Sequence, residues 1–263
     1  MRRYIYLFSA IFLMIIFMIN AGRAATEPDV MKIVKQIDEL YRSNSSFAKV
    51  EMEISTPHWQ RTLSMKVWSK GMHKTFIRIL SPKKERGVGT LRLGNEMWNY
   101  LPKVNKEIKV PPSMMMSSWM GSDFTNDDLV REYTFREDYH FSLFTPEDTG
   151  QTLDTKETGE KLIYVECRPK EGRPIVWDKV TIAVRASDHI PVWQKYYDEK
   201  GKVVRILYFR DIKTFGKRRI PSVLEMVPQN KEGNKTVIRY LDIEFDKKIG
   251  DDVFSLRNLR EKI

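Results

Sequence analysis

Most of the chain after Phe47 is divided into short segments in which apolar and polar residues alternate, and this period of two is the strongest constraint on the fold. A β-strand with one buried face has this period because successive side chains point to opposite faces. The alternation predicts strands from residues 50–55 and 63–67 to a closing meander of 203–212, 219–227 and 236–245. Roughly ten strands with few helices favour a strongly curved, nearly closed antiparallel sheet, which leaves few exposed edges.

One amphipathic helix is predicted before the strands. Thr26 and Asp29 have the spacing of a capping box, and the apolar residues after them recur at helical spacing. A continuous apolar stripe must lie against a large apolar surface, and the face of the sheet is the best candidate. The stripe consists of Val30, Ile33, Val34, Ile37, Leu40 and Tyr41.

Several predicted strands are apolar on both faces, so both sides of the sheet need cover. Trp98 and Tyr100 alternate with Met97, and the strand at 203–212 has apolar residues at both parities. A helix on the concave side over an apolar hollow would meet this need, and such a hollow could take an acyl chain. A sandwich with a filled core fits the same pattern, and spacing does not decide between them.

A methionine-rich segment lies between Pro112 and Leu129, directly before a helix start marked by the capping box of Thr125 and Asp128. Methionine is flexible and polarisable, so a cluster of it can adapt to ligands of variable shape. The alternative is that these residues fill an irregular gap in the core. The cluster consists of Met114, Met115, Met116, Trp119 and Met120.

The first residues predict export. Arg2 and Arg3 precede an apolar run, and Gly22-Arg23-Ala24 supplies the small residues of a cleavage site, so we expect residues 1–24 to be a signal peptide. The apolar run is short for a membrane span, although an uncleaved anchor is the alternative. Residues 25–263 then form a single domain in the periplasm. Cys167 is the only cysteine, and we expect a buried, inert thiol.

Loss of Arg2, Arg3 and Arg23 lowers the formal net charge from +10 to +7, so the mature protein remains basic. An exported protein seldom meets nucleic acid, which makes transient contact with an anionic membrane the better explanation, although solubility explains the charge as well. Two basic runs, Lys83 to Arg86 and Lys217 to Arg219, are either solvated hairpin ends or contacts to phospholipid head groups.

Catalysis has little support in the sequence. The four histidines are scattered, and no metal-binding, nucleophile-elbow or phosphate-loop motif occurs. The carboxylate pairs Asp127-Asp128 and Asp251-Asp252 are typical of helix starts, where the dipole favours anions, whereas Asp123 has no such explanation. We therefore expect no enzyme activity, no metal and no cofactor, and an exported hydrolase is disfavoured.

Three stretches resemble the LolA-like family of periplasmic lipoprotein carriers and outer-membrane lipoprotein-sorting proteins. They are MGSDFTNDDL at residues 120–129, the methionine-rich stretch before it and DDVFSLRNL at 251–259. The resemblance implies an incomplete β-barrel of about eleven strands with helices lidding its concave face over an acyl-chain cavity. Some relatives are associated with transporters of the resistance-nodulation-division type.

The leading hypothesis is a monomeric, non-catalytic periplasmic carrier that binds lipid or lipoprotein acyl chains and delivers them towards the outer membrane. The alternative is a module that carries nothing and docks on a resistance-nodulation-division transporter or an outer-membrane acceptor through its methionine and tryptophan patch. For the carrier we expect Phe124 to anchor the hinge of a movable rim, and Trp98 and Tyr100 to line the cavity wall. The predicted rim residues are Met114, Met115, Met116, Trp119 and Met120.

Overall fold

A single antiparallel sheet dominates the computed structural model, which describes residues 29–41, 43–131, 135–146, 159–173 and 175–261. The predicted signal peptide, residues 1–24, and Thr26 lie outside the described residues. The strands are β1 Ser45–Ser55, β2 Gln60–Lys70, β3 Lys74–Ser81, β4 Gly89–Leu93, β5 Glu96–Leu101, β6 Lys106–Lys109, β7 Tyr139–Phe144, β8 Leu162–Pro169, β9 Lys179–Arg185, β10 Pro191–Tyr197, β11 Val203–Phe215, β12 Arg218–Pro228 and β13 Lys235–Phe245. The helices are α1 Val30–Asp38, α2 Asn126–Arg131, α3 Phe135–Asp138 and α4 Leu256–Arg260, with 3₁₀ turns at Pro112–Met114, Trp119–Gly121 and Asp251–Phe254.

The strand order is β6-β5-β4-β3-β2-β1-β13-β12-β11-β10-β9-β8-β7. The sheet therefore consists of two meanders, joined where β1 pairs with β13, and β6 and β7 are its edges. Register shifts at Lys49/Val50, Ser64/Met65 and Tyr196/Tyr197 add local twist, as β-bulges do. The predicted fold class, a curved and incompletely closed antiparallel sheet, is confirmed. The resemblance implied about eleven strands, whereas the sheet formed by the described residues has thirteen.

The concave face of the sheet carries the larger core, and the predicted first helix packs into it. Asp29 is the N-cap of α1, and its carboxylate accepts from the N–H groups of Met31 and Lys32 at 3.0 and 3.3 Å. Ile33 and Val34 are buried in the same cluster as the inward-facing residues of β1 and β2. The expectation that the apolar stripe of α1 contacts the sheet is confirmed.

The convex face is covered at β3, β4 and β5 by residues 251–260, which we call the C-terminal segment. Phe254 and Leu259 pack there against Phe76 and Leu91. Arg78 of β3 attaches the segment to the sheet. Its Nη2 donates to the carbonyl of Asn258 in the segment at 2.6 Å, and its Nη1 donates to the carbonyl of Gly87, just before β4, at 3.0 Å. Separate covers on the two faces explain why several strands are apolar on both sides.

Two further findings concern single features of the described residues. Cys167 is free and buried, as predicted, and burial raises the pKa of its thiol well above the usual range. Among the described residues, no helix has the length and apolar character needed to cross a membrane. The single domain over residues 25–263 stays a prediction.

The buried carboxylate of Asp38 predicts a pH-dependent stability. Asp38 lies at the end of α1, 1% exposed, and accepts from Nε of Arg136 in α3 at 2.9 Å. Burial raises its pKa from 3.8 to about 6 despite this partner. Because the pKa of Asp38 is higher in the folded protein than in the unfolded chain, protonation of Asp38 stabilises the folded state. This stabilisation is fully present below pH 3.8 and is lost as the pH rises through 6.

We therefore expect the free energy of unfolding of the wild type to fall by roughly 3 kcal/mol between about pH 4 and pH 7 because of Asp38. The Asp38→Asn variant should not show this fall. Urea denaturation across this pH range measures the effect. Asp242→Asn, which changes an exposed carboxylate of β13, is the control and should retain the wild-type profile. A wild-type pH profile in Asp38→Asn would contradict the assignment.

Candidate functional site

A cavity of about 90 Å³ lies between the concave face of the sheet and the segment of residues 112–131, which we call the lid segment. Five adjacent strands, β3, β2, β1, β13 and β12, form its wall, while Trp119, Phe124 and Leu129 of the lid segment cover it. Most of the lining is apolar. The wall residues are Ala48, Val50, Met52, Met65, Val67, Ile77, Leu224, Ile238, Tyr240 and Ile243, with Tyr41 after α1 and the hydroxyls of Ser46, Ser69 and Thr75.

The polar groups of the cavity bind one another or the backbone. The hydroxyls of Ser46 and Ser69 lie 2.5 Å apart on neighbouring strands. Tyr41 donates its hydroxyl to the carbonyl of Pro221 at 2.8 Å and stacks on Tyr240 with ring centroids 4.9 Å apart. An apolar chain in this space would therefore leave these hydrogen bonds intact.

A tight turn at residues 119–124 forms the centre of the lid segment. The N–H of Trp119 donates to the carbonyl of Phe124 at 2.8 Å, and the turn between them is closed by Met120 and Gly121 at φ 53° and 75°. The indole Nε1 of Trp119 donates to Oγ1 of Thr90 at 3.2 Å. These contacts place the rings of Trp119 and Phe124, both almost fully buried, over the cavity.

Two side chains of the sheet bind the backbone of this turn. Arg61 of β2 donates to the carbonyl of Met120 and pairs with Glu85 at 3.2 Å. Thr236 of β13 accepts from the N–H of Asp123 at 2.9 Å and donates to its carboxylate at 2.8 Å. Burial raises the pKa of Asp123. Asp123, which sequence reasoning left without a role, thus joins the lid segment to the sheet.

The helix α2 is held by a buried ion pair. The predicted capping box is confirmed: the N–H of Thr125 donates to Asp128 at 2.7 Å and the N–H of Asp128 donates to Thr125 at 3.1 Å. Both oxygens of Asp128 also accept from Arg205 of β11, at 2.7 and 2.5 Å. The guanidinium contacts the rings of Trp177 and Tyr196, at 4.6 and 4.1 Å from their centroids.

Burial and charge act in opposite directions on Arg205. Burial by itself lowers the pKa of this 4% exposed residue, but the adjacent carboxylate of Asp128 outweighs burial and the pKa is raised. The pair is bidentate, which fixes the orientation of α2 as well as its position. This end of the lid segment is therefore anchored to the far meander of the sheet.

The structure brings some of the predicted rim residues to the cavity and leaves others outside. Trp119 and Phe124 cover the cavity, and Met115 and Met120 are half-buried against the main core. The side chains of Met114 and Met116 are 51% and 37% exposed to solvent. The binding role of these residues stays a prediction.

The predicted position of Trp98 and Tyr100 in the cavity wall is wrong. Both lie in the convex cluster beneath the C-terminal segment, whereas Met97 between them belongs to the concave core. Alternation along β5 places adjacent residues on opposite faces, so the two aromatic rings share the outer face. The wall is built instead from the central strands.

Sequence reasoning missed Arg205, the wall residues of β12 and β13, and the role of Tyr41. Arg205 had a signal: it is a lone cation in the apolar run VVRILYF at residues 203–209, at a position that its neighbours make buried. A charge in such a position needs a buried partner. No cluster of three or more metal-ligating side chains of the His, Cys, Asp or Glu type lies within the part of the chain that the structure describes.

Comparisons with known proteins identify a family for the chain and similar folds. A family model described as "-like: Uncharacterized protein" matches residues 71–261. The chain belongs to this family. No curated protein sequence matches the chain.

The fold is similar to that of several solved structures, in agreement with the LolA-like fold that the sequence resemblance implied. A DUF1329 family protein from Desulfovibrio piger is similar at 22% identity and a TM-score of 0.76, over 87% of this chain and 96% of that one. A domain named for outer membrane lipoprotein sorting, from Vibrio parahaemolyticus, has 19% identity and a TM-score of 0.75, over 88% and 98% of the two chains. A LolA superfamily protein from Nitrosomonas europaea has 22% identity and a TM-score of 0.71, over 88% and 100%.

The buried ion pair predicts a large effect for a small change in the lid segment. Asp128→Asn leaves the guanidinium of Arg205 buried without its counter-charge, so we expect the free energy of unfolding to fall by about 3 to 5 kcal/mol in urea denaturation. Asp127→Asn removes the neighbouring charge at the same helix start and should cost less than about 1 kcal/mol. Equal losses in the two variants would show that the ion pair does not hold α2.

Proposed function

We propose that the protein is a non-catalytic periplasmic carrier that holds acyl chains of a lipid or lipoprotein in this cavity and delivers them towards the outer membrane. The observation that carries the proposal is the apolar cavity between the concave face and the lid segment, in a fold shared with lipoprotein-sorting proteins. Tyr, Trp and Met side chains around it offer adaptable apolar contacts without a charged group among the lining residues.

The size of the cavity implies that the lid segment moves when cargo enters. A volume of about 90 Å³ is smaller than the cavity of about 150 Å³ that accepts benzene, so it cannot hold an extended hydrocarbon chain as it stands. Burial of ten methylenes recovers roughly 8 kcal/mol relative to water, which is comparable to what the chain loses on leaving a bilayer, so transfer between membrane and cavity is nearly balanced.

The anchors of the lid segment suggest which part moves. The end at α2 is held by the buried, bidentate pair of Asp128 and Arg205. The turn at Trp119 is held by separate hydrogen bonds to Thr90, Arg61 and Thr236, none of them a bidentate ion pair. We expect the turn to swing away from the cavity about α2. In this proposal Phe124, at the end of the turn, anchors the hinge.

A second candidate is the interaction module that carries nothing. The observation that favours it is the exposure of Met114 and Met116, because exposed methionines occur at adaptable protein contacts. In this case the partner is a transporter of the resistance-nodulation-division type or an outer-membrane acceptor. The module makes no use of the cavity, so a variant that fills the cavity separates the two candidates.

We predict that Ala48→Leu abolishes acyl-chain binding. Ala48 lines the cavity, and leucine at this position adds three carbon atoms to the space that cargo needs. Titration of the mature protein with a fluorescent fatty acid should show at least a tenfold loss of affinity relative to wild type. A circular dichroism melt checks that the variant is folded.

Lys49→Leu is the matched control, because it places the same side chain on the exposed face one residue further along β1. It should bind the fatty acid as the wild type does. If folded Ala48→Leu also binds as the wild type does, the cavity is not the binding site and the carrier proposal fails.

A further inference from the structure

Three turns of the first meander and the turn of the lid segment lie at the same end of the sheet. Because the strands are antiparallel, the turns at residues 56–59, 82–88 and 102–105 all lie at the end of the sheet where β1 finishes. The turn of the lid segment reaches the same end, since Arg61 and Thr236, which bind it, are both paired with Ile54 near the end of β1. We call this the loop end.

Exposed apolar side chains concentrate at the loop end. Nine large apolar side chains are exposed in the described part of the chain, and four of them lie in or beside the turns of the loop end. Isolated exposed apolar residues need no explanation, but their concentration at one end does. The four are Trp59, Leu101, Val104 and Ile108, with exposed fractions from 36% to 58%.

The same end carries a surplus of positive charge. Exposed cations occupy the turn after β3 and the turn after β5: Lys83, Lys84, Arg86, Lys103 and Lys106. The two carboxylates beside these cations pair with arginines outside the two turns. Glu85 is buried and pairs with Arg61 at 3.2 Å, and Glu107 faces Arg260 at 3.7 Å.

We infer that the loop end docks on the surface of an anionic lipid bilayer. Exposed apolar side chains on separate turns can each enter the head-group region, while the cations beside them contact lipid phosphates. The inference rests on the proposed function for its purpose: docking at this end places the lid segment against the bilayer, so an acyl chain can pass between membrane and cavity without crossing water.

The test is flotation of the full mature protein with two kinds of vesicle, phosphatidylcholine alone and phosphatidylcholine with about a third of phosphatidylglycerol. Wild type should bind the anionic vesicles at least tenfold more strongly, and added salt should weaken this binding. Each cation near an anionic surface contributes roughly fivefold, so K83Q/K84Q/R86Q should weaken binding about 100-fold at low salt.

A pair of matched double variants tests the apolar contribution. V104S/I108S removes side chains that are 58% and 45% exposed at the loop end, and M31S/L241S removes side chains that are 50% and 55% exposed elsewhere. The first should weaken binding to anionic vesicles about tenfold, and the second should leave it unchanged. Equal losses in both, or equal binding of wild type to the two kinds of vesicle, would overturn the inference.

Fatty-acid titration of the same variants distinguishes this inference from the proposed function. V104S/I108S lies outside the cavity lining and should bind the fatty acid as the wild type does. Selective docking in a protein that binds no fatty acid would support the docking surface and reject the carrier. Fatty-acid binding without selective docking would support the carrier and reject the docking surface.

Discussion

The rest of the structure depends on the need to cover the concave face of a strongly curved apolar sheet. Most inward-facing residues of β1, β2 and β12 are almost fully buried and those of β13 are buried or half-buried, although the sheet itself is open between β6 and β7. Burial of this surface is the largest favourable term available to the chain. The helix α1 covers one part of the face, and the lid segment covers another and leaves the cavity beneath it.

The lid segment combines firm and weak attachments. The pair of Asp128 and Arg205 is bidentate and buried, and its guanidinium contacts two aromatic rings, so loss of Asp128 leaves an uncompensated charge in the core. The turn at Trp119 depends on apolar contacts and on hydrogen bonds to Thr90, Arg61 and Thr236, each of which contributes about 1 to 3 kcal/mol. A segment that is fixed at one end and weakly held at the other can open without unfolding, which is what entry of an acyl chain into a small closed cavity requires.

The sequence predicted the sheet well because alternation is a local signal. The strands, the first helix and the capping box at Thr125 could all be read from spacing. The faces of individual strands were harder to assign, as Trp98 and Tyr100 show: a strand that is apolar on both sides does not indicate which side is concave. Arg205 could have been suspected from its apolar neighbours, but its partner Asp128 lies 77 residues earlier in the chain. Contacts of this kind depend on the tertiary fold rather than on local pattern.

The central claim is that the cavity of this protein holds lipid in the cell, and native mass spectrometry of the mature protein purified without detergent tests it most directly. The account predicts a population heavier than the polypeptide by the mass of one lipid or lipid-modified partner, which reverts to the polypeptide mass after extraction with organic solvent. A single mass equal to the polypeptide, obtained from protein that also fails to take up added lipid, would contradict it.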